Sequence, residues 1–559
     1  MTAKERYEEW LSNPYFDEAT KAELKSVTDE KEIEDRFYRD LEFGTGGLRG
    51  VLGAGTNRMN PYTVRKATQG LANYIIKQGK QSQGVAIAYD CRNMSVEFSK
   101  EVAMCLCANG IKAYRFESLR PTPELSFALR KLGCTAGVVI TASHNPAEYN
   151  GYKVYWEDGA QITYPKDVEI IEEVNKVTDF NMCKTMSEEE AKAAGLYAEI
   201  GEEIDEEFYS EILALVKNKE ALAAAKDMKI VYTPLHGTGN IPVRTILKRL
   251  GFENVYVVEE QCVPDGNFPT VKSPNPEESS AFEMALELAK KVDADIIMGT
   301  DPDADRLGIY CKGENGEYVS FNGNMSGALL CEYILDQKQK RGEDLSNAAV
   351  ITTIVSTNLV KAITKHYGVN CFETLTGFKY IGEYIHKFEL ENSYEYVFGM
   401  EESYGCLPGT YARDKDAVGA CVQLCEAAAY YLSQGMTLYD QLKKIYEKYG
   451  FYRELLSTQT YKGADGAAKI QGIMTKLREN PLTKVGDYTV ESVTDYNQDG
   501  TGFVKSNVLA YQLNNDAWFV VRPSGTEPKI KFYIGVVGDS MADSEAKAQQ
   551  LLEDVLKEF

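Results

Sequence analysis

Short apolar runs of five to seven residues alternate with longer helical stretches along most of this chain, and this alternation restricts the fold more than any other feature. The clearest runs are 84–90, 137–141, 229–233, 295–299 and 349–355. Each is short and apolar enough to be a strand buried on both faces, as in parallel sheets covered by helices. Stretches rich in Ala, Leu, Glu and Lys, such as 279–291 and 417–433, provide the helices. The pattern predicts an α/β fold with largely parallel strand pairing.

The length of the chain requires several domains. Its 559 residues exceed the ~250–300 residues at which a single hydrophobic core stops growing. The last segment has β-like runs at 517–521 and 530–534 and a helix at 544–559, which predicts a smaller α+β domain. The acidic stretch 186–207 has little β character and is interpreted as a connection. We predict α/β domains at 1–205, 206–323 and 324–455, and an α+β domain at 456–559.

Charge and composition exclude several classes of protein. The formal net charge of −23 repels nucleic acid and anionic membrane surfaces. No stretch approaches the ~20 apolar residues of a membrane span, and residues 1–10 carry charges throughout, unlike a signal peptide. The twelve cysteines form no CxxC pair and the four histidines form no ligand cluster, so we expect reduced thiols in a cytoplasm and no zinc site.

A small polar loop, Thr-Ala-Ser-His-Asn-Pro at 141–146, follows the predicted strand 137–141. Open α/β sheets hold ligands at the ends of such strands, so Ser143 is a candidate phosphoacceptor, although a strand-terminating turn is the favoured explanation for this loop taken alone. A phosphoserine adds ~1.5–2 negative charges and needs cations nearby. Lys153 is the candidate for that cation.

Three carboxylates at alternate positions, Asp301, Asp303 and Asp305, follow another predicted strand. Oxygen ligands at this spacing suit Mg²⁺, which retains water or phosphate as further ligands. An EF-hand loop is excluded because its sixth and twelfth positions are Arg306 and Lys312. A solvated acidic turn is the alternative, opposed by the repulsion between three close carboxylates.

Four further loops combine glycine with charged or hydroxyl groups: 43–50 with Arg49, 376–380 with Lys379, 399–405 with Glu401 and Ser403, and 522–528 with Arg522, Ser524, Gly525 and Thr526. The third could hydrogen-bond sugar hydroxyls, and the fourth could form an anion-binding nest for a phosphate monoester. Helix caps and plain turns remain alternatives for each loop taken alone. The glycine-rich loop at 43–50 lacks the register of a nucleotide-binding motif.

The order of these loops resembles that of the α-D-phosphohexomutase superfamily, over about residues 43–533. The Thr-Ala-Ser-His-Asn-Pro and Asp-Pro-Asp-Ala-Asp-Arg motifs (141–146 and 301–306) carry most of this resemblance. The segments 264–269 and 274–277 are also similar to the family's second-domain pattern. The resemblance implies three similar α/β domains around a central cleft and a smaller C-terminal α+β domain.

The resemblance also implies a role for each candidate residue. Ser143 would carry a phosphoryl group and, with Asp301, Asp303 and Asp305, hold Mg²⁺. Arg49 and Lys153 would flank the phosphoserine, and Arg306 would lie beside the metal. The resemblance does not assign the general base, for which we take Lys153 as the first candidate and His144 as the second. Sugar and phosphate binding would fall to Lys379, Glu401, Ser403, Arg522, Ser524, Gly525 and Thr526, Lys379 helping to distinguish the two ends of the sugar.

Tyr404 and Gly405 end the third loop in a form similar to that of phosphoglucomutases, in a longer branch that also includes phosphopentomutases. The implied activity is interconversion of glucose 1-phosphate and glucose 6-phosphate, with glucose 1,6-bisphosphate as intermediate and activator. Phosphopentomutase and phosphomannomutase activities are the alternatives. A non-catalytic sugar-phosphate-binding protein and a magnesium-dependent phosphatase also remain open, as do the choice between monomer and dimer and the extent of domain closure.

Overall fold

The computed structural model describes residues 1–44, 46–461, 463–524 and 529–559, with the backbone alone for 463–465. These residues form two compact bodies. The first comprises 1–320, 378–392 and 404–435, and the second comprises 321–377, 393–403 and 436–559. No helix among the described residues is both long and apolar enough to cross a lipid bilayer.

The first body begins with helices and a six-stranded sheet. Its elements are α1 (Ala3–Ser12), α2 (Glu18–Ser26), α3 (Glu30–Phe37), β1 (Gly47–Val51), α4 (Pro61–Lys77), β2 (Val85–Tyr89), α5 (Ser95–Ala108), β3 (Ala113–Phe116), α6 (Thr122–Lys131), β4 (Ala136–Ile140), β5 (Tyr149–Trp156), α7 (Lys166–Asn175), α8 (Glu188–Ala193), β6 (Tyr197–Ile200), α9 (Glu202–Leu215) and α10 (Lys219–Ala224). The strand order is β1-β5-β4-β2-β3-β6. Strands β2, β3, β4 and β6 run parallel, whereas β5 is antiparallel to both of its neighbours.

A second sheet in the same body repeats this plan. It contains β7 (Ile230–Thr233), α11 (Asn240–Arg249), β8 (Val255–Val257), α12 (Glu283–Val292), β9 (Ile296–Thr300), β10 (Leu307–Lys312) and β11 (Tyr318–Phe321). The order is β11-β10-β9-β7-β8, with β7 parallel to β8 and β9 and with β10 antiparallel to β9. Later segments add α15 (Phe378–Glu391), β15 (Cys406–Leu407) and α16 (Ala417–Leu432) to this body.

The second body contains the remaining elements. A three-layer part comprises α13 (Gly323–Lys340), β12 (Ala348–Thr353), α14 (Leu359–Tyr367), β13 (Asn370–Thr374), β14 (Glu395–Met400) and α17 (Leu438–Tyr449), and β12 pairs in parallel with β13 and β14. The C-terminal part comprises β16 (Phe451–Thr460), α18 (Gly463–Glu479), β17 (Lys484–Val485), β18 (Tyr488–Asp495), β19 (Leu509–Leu513), β20 (Trp518–Pro523), β21 (Lys529–Gly538) and α19 (Met541–Lys557). Its sheet has the order β16-β21-β20-β19-β18-β17, and every pair of neighbouring strands in it is antiparallel. This confirms the predicted α+β character.

The five predicted buried strands are confirmed as β2, β4, β7, β9 and β12, in each of which every residue is buried. The predicted strands pair in parallel in the first two sheets, and each sheet also has an antiparallel edge that the sequence did not predict. The interpretation of 186–207 as a connection is wrong, since β6 extends the first sheet beside β3. A four-residue edge strand with only one buried residue lacks the apolar run by which the other strands are recognised in sequence.

The predicted domain boundaries at 205/206 and 455/456 fall inside α9 and β16, and the domain limits stay a prediction. Among the described residues, which include all twelve cysteines, every thiol is free.

Candidate active site

Two buried strands of the first body, β4 and β9, end in the loops that carry the candidate nucleophile and metal ligands. Both are interior strands of their sheets and are fully buried. The two loops follow the carboxyl ends of these strands. Ser143 lies three residues after β4, and Asp301 directly follows β9. Polar groups at such strand ends can meet a ligand while the strands themselves stay in the core.

Ser143 lies against the aspartate loop. Its Oγ donates a hydrogen bond to Asp301 Oδ2 at 2.7 Å and lies 3.2 Å from Nδ1 of His144. The backbone adopts a left-handed conformation, with φ of 50°, and the Ser143 N–H donates to Thr141 Oγ1 at 2.8 Å. Only 3% of the residue is exposed. The structure therefore brings the candidate nucleophile and the candidate metal ligands together.

The three aspartates converge on one point. One carboxylate oxygen from each of Asp301, Asp303 and Asp305 lies within 4.8 Å of the others, and all three residues are buried. Lys153 Nζ lies 2.8 Å from Asp303 Oδ2 and 3.4 Å from Asp305 Oδ2. We call Ser143, the three aspartates and Lys153 the Ser143 cluster. Its three acids and one amine leave an excess of negative charge in a buried place.

This donor set fits a divalent cation. Asp303 Oδ1 and Asp305 Oδ1 are buried, and no described residue donates a hydrogen bond to either. Burial without a partner is costly for a carboxylate oxygen, and a cation held by these oxygens would remove that cost. Hard carboxylate ligands with room left for further oxygen ligands are what Mg²⁺ prefers.

The electrostatics of the Ser143 cluster depend on which acid faces Lys153. Burial, and then the charges of Asp303 and Asp305, raise the pKa of Asp301 well above its usual value. Burial also acts to raise the pKa of Asp303, but the Lys153 ammonium and hydrogen bonds to the carboxylate outweigh it and hold that pKa low. Burial opposes the charge of Lys153, yet Asp303 and Asp305 raise its pKa overall. Lys153 is therefore an ammonium ion at neutral pH.

The other predicted basic residues surround Ser143. Arg49 is exposed and donates to Asn145 Oδ1 at 3.0 Å. Arg306 forms an ion pair with Glu277, and its Nε lies 3.9 Å from Asp305 Oδ1. Burial, followed by the charges of Arg306 and Arg49, lowers the pKa of His144 well below its usual value. His144 is therefore a neutral imidazole beside the serine hydroxyl.

Sequence reasoning missed three residues that contact this site. Thr122, the first residue of α6, donates through Oγ1 to Asp303 Oδ2 at 2.9 Å. Lys415 Nζ lies 3.1 Å from Asp305 Oδ2. Arg92 donates to backbone carbonyls of the Ser143 loop. The only signal for Arg92 in the sequence was its place directly after a buried strand, and Thr122 and Lys415 gave none.

The second body brings the predicted sugar-binding and phosphate-binding loops close to each other. Glu401 is buried and accepts the Gly377 N–H at 3.0 Å, and Glu402 accepts the Thr353 hydroxyl at 3.2 Å. Burial raises the pKa of Glu402, while the charges of Lys531 and Arg522 act in the opposite direction. We call Glu401, Glu402, Arg522, Lys531 and Tyr533 the Arg522 cluster.

The remaining candidates lie on these loops and on α15. Ser403 and Ser524 are half-buried, and Ser524 donates its N–H to the Lys529 carbonyl at 2.8 Å. Gly525 and Thr526 lie outside the described residues. Lys379, in the first body, is half-buried, and burial lowers its pKa against the opposing charges of Asp167 and Glu383.

Comparison with known proteins places the chain in a family. Models of phosphoglucomutase/phosphomannomutase alpha/beta/alpha domains I, II and III match residues 40–180, 206–315 and 322–449, and the model of the C-terminal domain matches 475–557. The phosphoglucomutase of Staphylococcus epidermidis is 37% identical over 538 residues, covering 94% of this chain and 96% of the relative. The phosphoglucomutase of Staphylococcus aureus is 37% identical over 539 residues, covering 94% and 95%.

Solved structures share the fold. A putative phosphomannomutase from Thermus thermophilus has a TM-score of 0.70 at 21% identity, covering 93% of this chain and 99% of that one. The Paramecium phosphoglucomutase pp63/parafusin, in its open form, has a TM-score of 0.70 at 18% identity, covering 93% and 94%. With four domain models matched in order along most of its length, the chain belongs to the phosphoglucomutase/phosphomannomutase family, the intramolecular phosphotransferases of the α-D-phosphohexomutase superfamily.

Proposed function

We propose that this protein interconverts glucose 1-phosphate and glucose 6-phosphate, with Ser143 carrying the phosphoryl group between the two ends of the sugar. The observation that carries the proposal is the 2.7 Å hydrogen bond from Ser143 Oγ to Asp301, within a buried trio of carboxylates. The phosphoglucomutases that are 37% identical over 94% of the chain support glucose as the sugar.

The reaction consists of two transfers of the same kind. In the first, the bond between phosphorus and Ser143 Oγ breaks while a bond forms to the free hydroxyl oxygen of the bound sugar phosphate, whose proton passes to a base. The product is glucose 1,6-bisphosphate. After the bisphosphate turns in the site, its other phosphoryl group returns to Ser143 Oγ, and the sugar oxygen regains a proton. The same bisphosphate, supplied from outside, would phosphorylate Ser143 and so act as an activator.

Phosphoryl transfer depends mainly on positioning and on stabilising charge. Mg²⁺, held by Asp301, Asp303, Asp305 and an oxygen on Ser143, would neutralise charge on the transferring group. The protein's own contribution is the Lys153 ammonium at the same point, with Arg49 and Arg306 nearby.

Proton transfer falls to two residues. Lys153 starts as an ammonium ion because two carboxylates raise its pKa, so it can donate a proton to the oxygen that leaves. His144 is neutral, and its Nδ1 lies 3.2 Å from Ser143 Oγ, within reach of a proton released there. We assign Lys153 to the acid role and retain it, with His144, as a candidate for the base.

Binding of the rest of the substrate is assigned to the loops of the second body and to Lys379. Glu401 and Ser403 would accept and donate hydrogen bonds to sugar hydroxyls. Arg522 and Ser524, with Gly525 and Thr526, would hold the phosphate that does not react. Lys379 would help to distinguish the two ends of the sugar. The free thiols suit a reducing cytoplasm, where we propose that the enzyme acts on small sugar phosphates.

The test combines turnover with intact mass. Wild-type protein with Mg²⁺ and catalytic glucose 1,6-bisphosphate should convert glucose 1-phosphate to glucose 6-phosphate and gain one phosphoryl-sized mass increment. Ser143→Ala should lose both, with turnover falling by roughly 10⁴-fold or more. Ser433→Ala changes an exposed serine at the end of α16 and should lose neither.

Three results would contradict the proposal. A mass increment that survives Ser143→Ala would assign the phosphoryl group elsewhere. Steady release of inorganic phosphate in place of isomer would indicate a phosphatase, and tight sugar-phosphate binding without turnover would indicate a binding protein. Parallel assays with mannose 1-phosphate and ribose 1-phosphate identify the sugar, since a preference for either would replace glucose by that substrate.

A further inference from the structure

Arg92 is a buried arginine that hydrogen-bonds the backbone of the Ser143 loop. Its Nη2 donates to the Ser143 carbonyl at 2.6 Å and also to the Asn145 carbonyl. Its Nη1 donates to the carbonyls of Pro146 at 2.8 Å and Tyr149 at 3.0 Å. One guanidinium group therefore binds four carbonyl oxygens spread over seven residues of the loop.

The charge of Arg92 is compensated inside the protein. Its side chain and that of Asp90 are fully buried, with Nε 3.5 Å from Asp90 Oδ2. Asp90 Oδ1 in turn accepts the Arg92 N–H at 2.9 Å and the Ser95 hydroxyl at 2.8 Å. The guanidinium also lies 5.0 Å from the ring centroid of Phe268. These partners hold the guanidinium group in addition to its bonds with the loop.

The backbone of Ser143 needs such support. A left-handed φ of 50° is unfavourable for a residue with a side chain and persists only where surrounding contacts impose it. Here the Ser143 N–H is held by Thr141 Oγ1 and its carbonyl by Arg92. With both ends of the residue fixed, the hydroxyl points at Asp301.

We infer that Arg92 is a positioning residue for phosphoryl transfer: by holding four carbonyls of the loop, it keeps Ser143 Oγ beside the aspartate trio in both transfer steps. Its contacts are with backbone carbonyls and Asp90, so it acts through Ser143. The inference rests on the proposed function for its effect on turnover, but not for its effect on the loop.

Lysine cannot replace arginine in this arrangement. A planar guanidinium presents five N–H donors in a fixed fork, whereas an ammonium concentrates three donors at one point. Arg92→Lys keeps the charge and can reach only part of the four carbonyls. The variant therefore separates the contribution of the guanidinium's donor geometry from that of its positive charge.

Arg115, on β3 of the first body, offers a matched control. It is also buried, donates through Nε to the Ser99 hydroxyl at 2.8 Å, and lies 4.5 Å from the ring centroid of Tyr89. Arg115→Lys removes a buried guanidinium from the first body at a site away from the four carbonyls. Loss of stability alone should affect both variants in the same way.

The experiment measures kcat, KM, thermal stability and hydrogen exchange of the amides at 143–149. For Arg92→Lys we expect kcat to fall about 10- to 100-fold, since small misplacements of a reacting group cost this much, with KM changed by less than about 3-fold. Exchange at 143–149 should become faster in this variant alone, and Arg115→Lys should retain wild-type kcat. Asp90→Asn weakens the ion pair that holds Arg92, so it should give a smaller fall in kcat and a smaller increase in exchange at 143–149. This variant takes the place of Arg92→Lys if the latter does not fold.

Wild-type kcat in Arg92→Lys, or unchanged exchange at 143–149, would overturn the inference. Equal losses of kcat in the Arg92 and Arg115 variants would also overturn it, because they would show a merely structural role. If the wild type fails to isomerise glucose phosphates, the proposed function fails, and hydrogen exchange still decides whether Arg92 holds the loop.

Discussion

Acidic side chains dominate the Ser143 cluster of the first body, whereas the Arg522 cluster of the second body combines its acids with two cations. In the first, three aspartates face the amines of Lys153 and Lys415, and each aspartate is no more than 2% exposed. In the second, Arg522 and Lys531 are only half-buried, and both act on the pKa of Glu402. The two clusters therefore differ in charge balance and in access to solvent: the first has more acids than cations, whereas the second has two of each, with its cations half-exposed.

The difference indicates what each cluster binds. Buried oxygens without hydrogen-bond donors favour a cation, because burial removes them from bulk solvent. Half-exposed cations on adjacent antiparallel strands, β20 and β21, suit an anion that arrives from solution with its own charge. Under the proposed function, the Ser143 cluster would hold the reacting phosphoryl group and its metal, and the Arg522 cluster would hold the phosphate that does not react.

Replacing Asp303 is the most direct test of the cation site in the Ser143 cluster. Asp303→Asn keeps the size of the side chain but removes one charge and the partner of Lys153, so we expect kcat/KM to fall at least ~10³-fold and activity to require far more Mg²⁺. Steady-state kinetics over a range of Mg²⁺ concentrations measure this. Asp293→Asn is the control, since Asp293 is 79% exposed and pairs with Lys312 at 2.8 Å. An Asp303→Asn enzyme with wild-type activity and Mg²⁺ dependence would disprove a cation site in this cluster.

Asp416 is a second buried aspartate of the first body, and its hydrogen-bond donors are neutral. It can therefore be compared with Asp303, which lies beside an ammonium group. Its carboxylate accepts the N–H groups of Val418 and Gly419 at the start of α16, and the Tyr411 hydroxyl. Burial raises its pKa from 3.8 to about 6, in contrast to the pKa of Asp303, which Lys153 holds low. A cation beside a buried carboxyl group thus keeps its pKa low, whereas neutral partners leave the pKa raised by burial.

A raised pKa in the folded state means that the folded protein binds the proton more tightly than the unfolded chain. The resulting stability is present below pH ~4 and is lost as the pH rises to about 6, by about 3 kcal/mol in all. Thermal unfolding of the wild type and Asp416→Asn between pH 4 and 8 measures it, and the wild type should lose Tm relative to the variant between pH 4 and 6 only. A difference that is constant over the whole range would contradict the raised pKa.

Arg522 tests the anion-binding side of the comparison. Arg522→Ala removes one of the two cations of its cluster, so KM for glucose 1-phosphate should rise about 100-fold, while kcat changes by less than about 5-fold. Arg453→Ala is the control from the same sheet, since Arg453 on β16 pairs with Glu545 at 2.5 Å. A large fall in kcat at unchanged KM would instead place Arg522 at the reacting phosphoryl group.

The sequence predicted the parts of the fold that follow from local pattern. The buried strands β4 and β9 are continuous apolar runs, and the small polar and acidic loops after them are recognisable because their residue types are unusual there. The edge strand β6 was not predicted, since it is only four residues long and only the first of them, Tyr197, is buried. Edge strands depend on the neighbour they pair with, which local pattern does not contain.

The candidate site was predictable to a similar extent. Ser143 and the aspartates could be identified because their chemistry is distinctive, but Arg92 and Lys415 act through contacts with residues 51 and 110 positions away. Such contacts depend on which strands lie side by side. Protonation was also beyond sequence, because the opposite pKa shifts of Asp301 and Asp303 follow from the position of one ammonium group.

Two tyrosines on β5, on either side of Lys153, provide the smallest test of how the first body stabilises buried charge. Tyr155 donates its hydroxyl to Asp414 Oδ2 at 2.6 Å, whereas the Tyr152 hydroxyl accepts a hydrogen bond from the Thr68 hydroxyl at 3.2 Å, and all four residues are buried.

Tyr155→Phe should lower the free energy of unfolding by about 2 kcal/mol, because it leaves a buried carboxylate with one donor fewer. Tyr152→Phe breaks a bond between neutral groups and should cost about 1 kcal/mol or less. Thermal unfolding of the two variants at neutral pH compares them without a change in side-chain volume beyond one hydroxyl. Equal losses would mean that Asp414 does not depend on its hydrogen-bond donors, and that burial of charge in this body has another source of stability.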